Sequence, residues 1–257
     1  MSQIAMRQLA DDLTTLGVEP GDVLLVHTSY RAVRPVEGGP AGLIAALRRA
    51  VGDSGTLVMP SWTEDDDAVF DRATTPVAAD LGITAATFVR TPAVVRSTHP
   101  FAFAAVGPQA EAITADPLPT PPHRLESPVG RVWEHDGKVL LLGVGHDSNT
   151  TIHLAESLAR VPYGVSKHCT VEEDGRPTRV DYLENDHCCQ RFALADEWLR
   201  SRGAQREGRV GNAHARLIRS RDVVTVVRER LERDPLVFLH APEEQCAECD
   251  EARRSIR

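Results

Sequence analysis

The sequence predicts an α/β fold: a parallel or mixed central sheet covered by helices, with a hairpin and further helices toward the C-terminus. Three observations carry that expectation. Short, nearly continuous apolar runs at residues 22–30, 55–62 and 138–144 have the length and composition of strands buried on both faces. Helically spaced stretches lie between them, so strand, helix and strand recur as a βαβ unit. An Asp174–Gly175 pair flanked by alternating residues marks a hairpin over 168–185.

The elements follow in order. Ile4, Leu9, Leu13 and Leu16 fall on one helical face that Gly17 closes. The strand "DVLLVHTSY" leads through the loop "RAVRPVEGGP" to a helix, "AGLIAALRRAVG", and on to the strand "GTLVMPSW". Residues 63–80 read as a polar loop, 81–90 as a helix, and 97–116 as a strand and the start of a helix. The proline-dense stretch 117–137 reads as a loop. "KVLLLGV" is the third buried strand, and it feeds a polar turn and a helix in "GVGHDSNTTIHLAE". Helices are expected near 191–202 and 221–233, a last strand at 235–240, and a polar tail over 243–257. No internal repeat, linker or domain boundary interrupts this order.

Composition narrows the function. The 257 residues suit one large domain, or one with a small appendage. With 29 basic and 37 acidic residues the formal charge is −8, which disfavours nucleic acid as a partner. No apolar run approaches the roughly 18 residues that a membrane-crossing helix needs. The first residues lack a basic segment followed by an apolar block, so a cytoplasmic protein is expected. Five cysteines, two of them adjacent, do not form a disulfide framework.

The chemistry-bearing residues gather where strands end. The first strand delivers His27, Thr28 and Ser29; the second Trp62, Glu64, Asp65, Asp66 and Asp67; the third His146, Asp147, Asn149 and His153. Sites in α/β sheets form at the carboxyl ends of strands, so these loops are expected to share one crevice, with Glu184, Asp186 and His187 from the hairpin end. The acidic run 64–67 is either a solvated loop or a binder of polycations. His153 is a packed core residue, a metal ligand or a base. A base would need a carboxylate on one ring nitrogen, and Glu184 and Asp186 are the spare carboxylates. Neither the zinc-protease nor the serine-hydrolase signature is present. Gly38 and Gly39, with Arg31 or Arg34, form an ordinary loop or a phosphate cradle. Cys188, His240, Cys246 and Cys249 are either reduced thiols and a neighbouring imidazole or a structural zinc site.

Taken together, "VHTSYRAVRPVEGGP", "GTLVMPSWT", "RSTHPFAFAAVGPQA", "SPVGRVWEHDGKVLLLGVGHDSNTTIHLAE" and "YLENDHCC" resemble the aminoglycoside N(3)-acetyltransferase family over nearly the whole chain. "DHCC" and "FLHAPEEQCAEC" are similar to its apramycin- and gentamicin-accepting type. The resemblance implies a single α/β domain over 1–257, with a mixed central sheet sandwiched by helices and a C-terminal hairpin and helices, that moves an acetyl group from acetyl-coenzyme A to the 3-amino group of 2-deoxystreptamine aminoglycosides of the apramycin, gentamicin and tobramycin type, giving resistance.

It also implies roles. His153 is the general base, with Glu184 and Asp186 orienting it and holding the drug. Asp66, His123 and Asp147 join them on the aminoglycoside side. Thr28, Ser29, Tyr30, Arg31, Val33, Val36, Glu37, Gly38, Gly39 and Ser97 belong to the coenzyme A side. Each carboxylate–ammonium pair at ~4 Å is worth about 1–4 kcal/mol before desolvation. His153 must be neutral to act, so weak activity at low pH is expected. Two other functions fit the residues less well: acylation of a non-antibiotic amine, which predicts fewer acids at 64–67, and drug sequestration, which tolerates loss of His153.

Overall fold

A computed structural model describes residues 3–115 and 121–256. Its elements run α1 (Met6–Leu16), β1 (Val23–Thr28), α2 (Tyr30–Val33), α3 (Gly39–Val51), β2 (Thr56–Pro60), α4 (Gly82–Phe88), β3 (Val95–Arg96), β4 (Phe103–Val106), α5 (Ala110–Thr114) and α6 (Pro128–Glu134). They continue with β5 (Lys138–Leu142), α7 (Thr151–Ala159), β6 (Val165–Glu173), β7 (Arg176–Glu184), α8 (Leu194–Ser201), β8 (Gln205–Val210), β9 (Ala213–Arg219), α9 (Ser220–Leu231) and α10 (Ala247–Arg254).

Seven strands form one mixed sheet in the order β3-β4-β2-β1-β5-β9-β8, and β6 and β7 form a separate hairpin. β1 pairs in parallel with both β2 and β5, while β4 and β9 run antiparallel to their inner neighbours. The expected mixed sheet covered by helices is therefore present. Successive side chains on a strand point to opposite faces. Leu24, Val26, Leu140 and Leu142 accordingly pack with Leu9, Leu13, Leu43 and Leu47 of α1 and α3 on one face. Leu25, Val139 and Leu141 pack on the other with Ile152, Leu199 and Val227 of α7, α8 and α9. Two covered faces explain why these strands read as unbroken apolar runs.

The structure departs from the sequence reading in four places. The stretch expected to be a loop over 117–137 contains α6, whose Pro128 opens the helix and whose Ser127 accepts from the Gly130 amide as a cap; residues 116–120 lie outside the described residues. β8 and β9 extend the sheet where the sequence reading has no strand, because β8 is a charged edge and β9 interleaves His214, Arg216 and Arg219 with its buried residues. Residues 235–240 form turns rather than a strand, although Phe238 and Leu239 are buried. The polar tail folds into α10, which buries Cys249 and Ala252.

The parallel arrangement brings the carboxyl ends of β1, β2 and β5 to one end of the sheet. Gly143, just past β5, has φ 72° and lies so close to Ala32 that a Cβ there would come within 2.5 Å of the alanine's. That contact needs glycine and sets the angle at which the chain enters the turn before α7. The hairpin reaches the same end, where Val69 bridges to Thr170 and ties the acidic loop to β6.

Candidate active site

A cleft of about 550 Å³ opens at the carboxyl ends of β1, β2 and β5 and is closed on one side by the hairpin. The three strand-end loops and the hairpin end do share this space. His153 lies in the first turn of α7 on its wall, 12% exposed through its side chain. The start of α7 is fixed from below: the Thr151 amide donates to Asn149 Oδ1 at 3.1 Å, and Thr150 Oγ1 lies 3.3 Å from Nε2 of buried His27. Burial and neighbouring His123 hold His27 down to about 3, so it is neutral in ordinary buffers.

The partner of His153 is Glu156, one turn along the same helix. His153 Nδ1 lies 2.8 Å from Glu156 Oε2. Glu156 is wholly buried, and its other oxygen accepts from the Tyr163 hydroxyl at 2.6 Å and from His187 Nε2 at 2.9 Å. Burial alone would raise this carboxyl, but the hydrogen bonds from His153 and His187 outweigh it and hold the group at about 2. With Nδ1–H directed to a permanent carboxylate, Nε2 is the nitrogen left to exchange protons with the cleft. It lies 3.3 Å from Cys189 Sγ. Burial opposes charge on His153, yet Cys189 and Glu156 prevail and set it well above the ordinary imidazole range.

This corrects one expectation: neither Glu184 nor Asp186 hydrogen-bonds a ring nitrogen of His153. Both stand on the cleft wall. Glu184 Oε1 is 3.5 Å from His123 Nδ1, and burial with the nearby Asp186 charge pushes Glu184 up to about 7. Asp186 pairs with Lys167 Nζ at 2.5 Å. Asp66 and Asp147 also line the cleft, and burial raises Asp66 above the usual carboxylate value. His123 stacks on the His153 ring with centroids 4.8 Å apart, backed by Phe101. Burial and His153 keep His123 well below its ordinary value, so it offers a neutral face to the base.

The residues expected to hold coenzyme A divide. Thr28 lines the cleft, and its hydroxyl is buried without a hydrogen-bond partner among the described residues, an orphaned polar atom at the floor. Ser29, Tyr30 and Arg31 follow on the start of α2, and Glu37, Gly38 and Gly39 lead into the N-terminus of α3, with both glycines in the left-handed region. Val33 and Val36 are different: their side chains lie in the core, 0% and 2% exposed, so they support this segment from behind. Ser97 is likewise not brought to the cleft. It is fully buried, and its hydroxyl accepts from the Phe103 amide at 3.2 Å to close the turn between β3 and β4.

Cys188, His240, Cys246 and Cys249 do converge, with ligand atoms all within 4.8 Å of one another. Cys188 Sγ lies 3.1 Å from His240 Nδ1, and Cys249 Sγ lies 3.7 Å from Cys188 Sγ. A tetrahedral zinc with sulfur ligands at ~2.3 Å separates them by ~3.8 Å, so the donor set fits that ion in kind and spacing. The cluster joins the hairpin end to α10.

Sequence reasoning missed Glu156, Tyr163, Lys167 and Cys189 as parts of the site. Only Glu156 left a local signal, the i,i+3 spacing in "HLAE" that puts two side chains on one helix face.

A family model described as aminoglycoside 3-N-acetyltransferase matches residues 25–232. The chain is 65% identical over 236 residues to aminoglycoside N(3)-acetyltransferase IV from Salmonella sp, covering 92% of this chain and 90% of that one. It superposes on a histidine-to-alanine mutant of aminoglycoside acetyltransferase AAC(3)-IVa solved in complex with gentamicin, at TM-score 0.97 and 62% identity, covering 100% and 99% of the two chains. The apramycin complex of the mutant matches at TM-score 0.91 and 60% identity over 97% and 99%. A CoASH complex of the more distant AAC-IIIb matches at TM-score 0.82 and 27% identity over 90% and 97%.

Proposed function

The chain belongs to the aminoglycoside 3-N-acetyltransferase family, and from its cleft we propose how these residues carry out that activity on gentamicin- and apramycin-type drugs. The enzyme is an acyltransferase that uses acetyl-coenzyme A as acyl donor. Both drugs are bound by AAC(3)-IVa, and their acetylation by this chain would confer resistance.

The observation that carries the mechanism is the buried Glu156–His153 pair, whose second imidazole nitrogen faces an acidic cleft. Asp66, Asp147, Glu184 and Asp186 pair with drug ammonium groups and set the ring so that its 3-amino group reaches His153. His123 forms the wall beside the base. The donor supplies a thioester carbonyl that the amine attacks, with coenzyme A leaving as its thiol. Neutral His153 takes the amine proton at Nε2, Glu156 holds Nδ1–H and stabilises the imidazolium that results, and the imidazolium then gives that proton to the departing sulfur, which restores the neutral base. The carboxylates that recognise the drug also favour its unreactive ammonium form, which is why a base is needed at this spot. Thr28, Ser29, Tyr30, Arg31, Glu37, Gly38 and Gly39 hold the coenzyme, with the positive end of α3 and Arg31 toward its phosphates.

Cys188, His240, Cys246 and Cys249 would hold a structural zinc that fastens α10 to the hairpin end and does no chemistry. No helix among the described residues is long and apolar enough to cross a membrane. Five free cysteines favour a reducing compartment, so we place the enzyme in the cytoplasm, as one domain over 1–257.

The test compares wild type with His153→Ala, following thiol release with gentamicin and apramycin. Turnover should fall by about 10²- to 10⁴-fold while calorimetry shows the drug still bound. Near-normal turnover in the variant would remove His153 from the role of base.

A further inference from the structure

We propose that Lys167 is a tethered stand-in for a substrate ammonium: in the free enzyme its Nζ occupies the anionic subsite of Asp186 and Glu184, and an aminoglycoside ammonium displaces it on binding. The proposal rests on the aminoglycoside reading of the cleft and adds a residue that sets affinity for the drug.

The charge pattern of the cleft points to it. Among the described lining residues, Lys167 is the only lysine or arginine, against six carboxylates: Glu64, Asp66, Asp80, Asp147, Glu184 and Asp186. Its Nζ lies 2.5 Å from Asp186 Oδ2, and its charge also acts on Glu184 and Asp66. Lys167 is therefore bonded to a carboxylate that a polycationic substrate would seek. A drug ammonium that joined Lys167 on this one carboxylate would meet like-charge repulsion, so exchange is favoured over sharing.

The geometry lets Lys167 be the one to leave. Lys167 and Asp186 are 37% and 38% exposed through their side chains, so the pair is screened and easily broken. A lysine carries its charge on a flexible four-carbon stem, and swinging outward returns the ammonium to water without moving the backbone. The backbone beneath stays fixed because Lys167 pairs with Tyr182 across the hairpin. The resident cation also offsets the crowding of Asp186, Glu184 and Asp66 while the site is empty, which keeps Asp186 ordered for exchange.

The sign of the effect separates this role from a direct drug contact. The isosteric but uncharged Lys167→Met leaves Asp186 free, so gentamicin should bind about three- to tenfold more tightly by calorimetry at low ionic strength. Its KM should fall in parallel, and the salt dependence should steepen. Lys167→Gln should shift affinity in the same direction, Lys167→Arg should bring it back toward wild type, and the KM for acetyl-coenzyme A should not follow. Unchanged or weaker gentamicin binding in both neutral variants, with melting temperatures near wild type, would overturn the proposal. Loss of aminoglycoside acetylation in the wild type itself would instead overturn the reading of the cleft.

Discussion

Glu156 and Glu184 are the same residue type, both beside histidines, one buried behind the cleft and one on its wall, yet they carry charge differently. Glu156 has three donors converging on it, from His153, Tyr163 and His187, and stays ionised down to about 2. Glu184 has only a 3.5 Å approach to a neutral imidazole and a carboxylate neighbour, and rises to about 7. Burial is common to both, so the donors decide. A permanent charge suits a group that must hold the base in one tautomer. A charge that comes and goes near neutrality suits a group that meets a cation arriving from solvent.

The largest test of this contrast is Glu156→Gln. The amide keeps the shape and removes the charge, and turnover should drop by about 10²-fold or more. The acid limb of kcat/KM adds a sharper readout. His153 lies above its ordinary value partly because of Glu156, and as a base it works only when neutral, so wild-type activity should climb as pH rises through that elevated value. Without Glu156 the limb should move to lower pH even as the plateau falls. A variant with normal turnover and an unmoved limb would mean that Glu156 is only a packing residue.

Glu184→Gln should do less and do it elsewhere. Because the wild-type carboxyl ionises around pH 7, drug binding should strengthen between pH 6 and 8. The variant should lose that rise, with a drug KM roughly two- to tenfold higher at pH 8 and little changed at pH 6. Equal effects at both pH values would show that Glu184 is charged throughout, and the contrast with Glu156 would collapse.

The smallest effect on chemistry is expected at the cysteine cluster, where there is no substrate to meet. Elemental analysis should find about one zinc per chain, and a strong chelator should lower the melting temperature while leaving the kcat of the remaining folded enzyme near wild type. Metal-free protein with an unchanged melting temperature would return the four groups to ordinary reduced side chains.

How much of this was legible in the sequence differs by element. β1, β2 and β5 could be read because both of their faces are covered, which leaves an apolar run that little else produces. β8 could not: as an edge it is mostly charged, and its pairing with β9 follows from tertiary contact rather than composition. In the site, His153 stood out through its place after a strand-end turn, and the cysteine cluster through donor type. Glu156 is three residues from the histidine, but that spacing alone does not set it apart from the acids in the loops. The Lys167–Asp186 pair depends on how the hairpin folds back on its own exit, and no local pattern encodes that register.

The three donors on Glu156 come from separate parts of the chain: His153 from α7, Tyr163 from the stretch leading into β6, and His187 from beyond β7. The charge that orients the base is thus pinned by α7, by the entry to the hairpin and by its exit at once, so a shift of the hairpin reaches the chemistry through Glu156 as well as through the drug-facing wall.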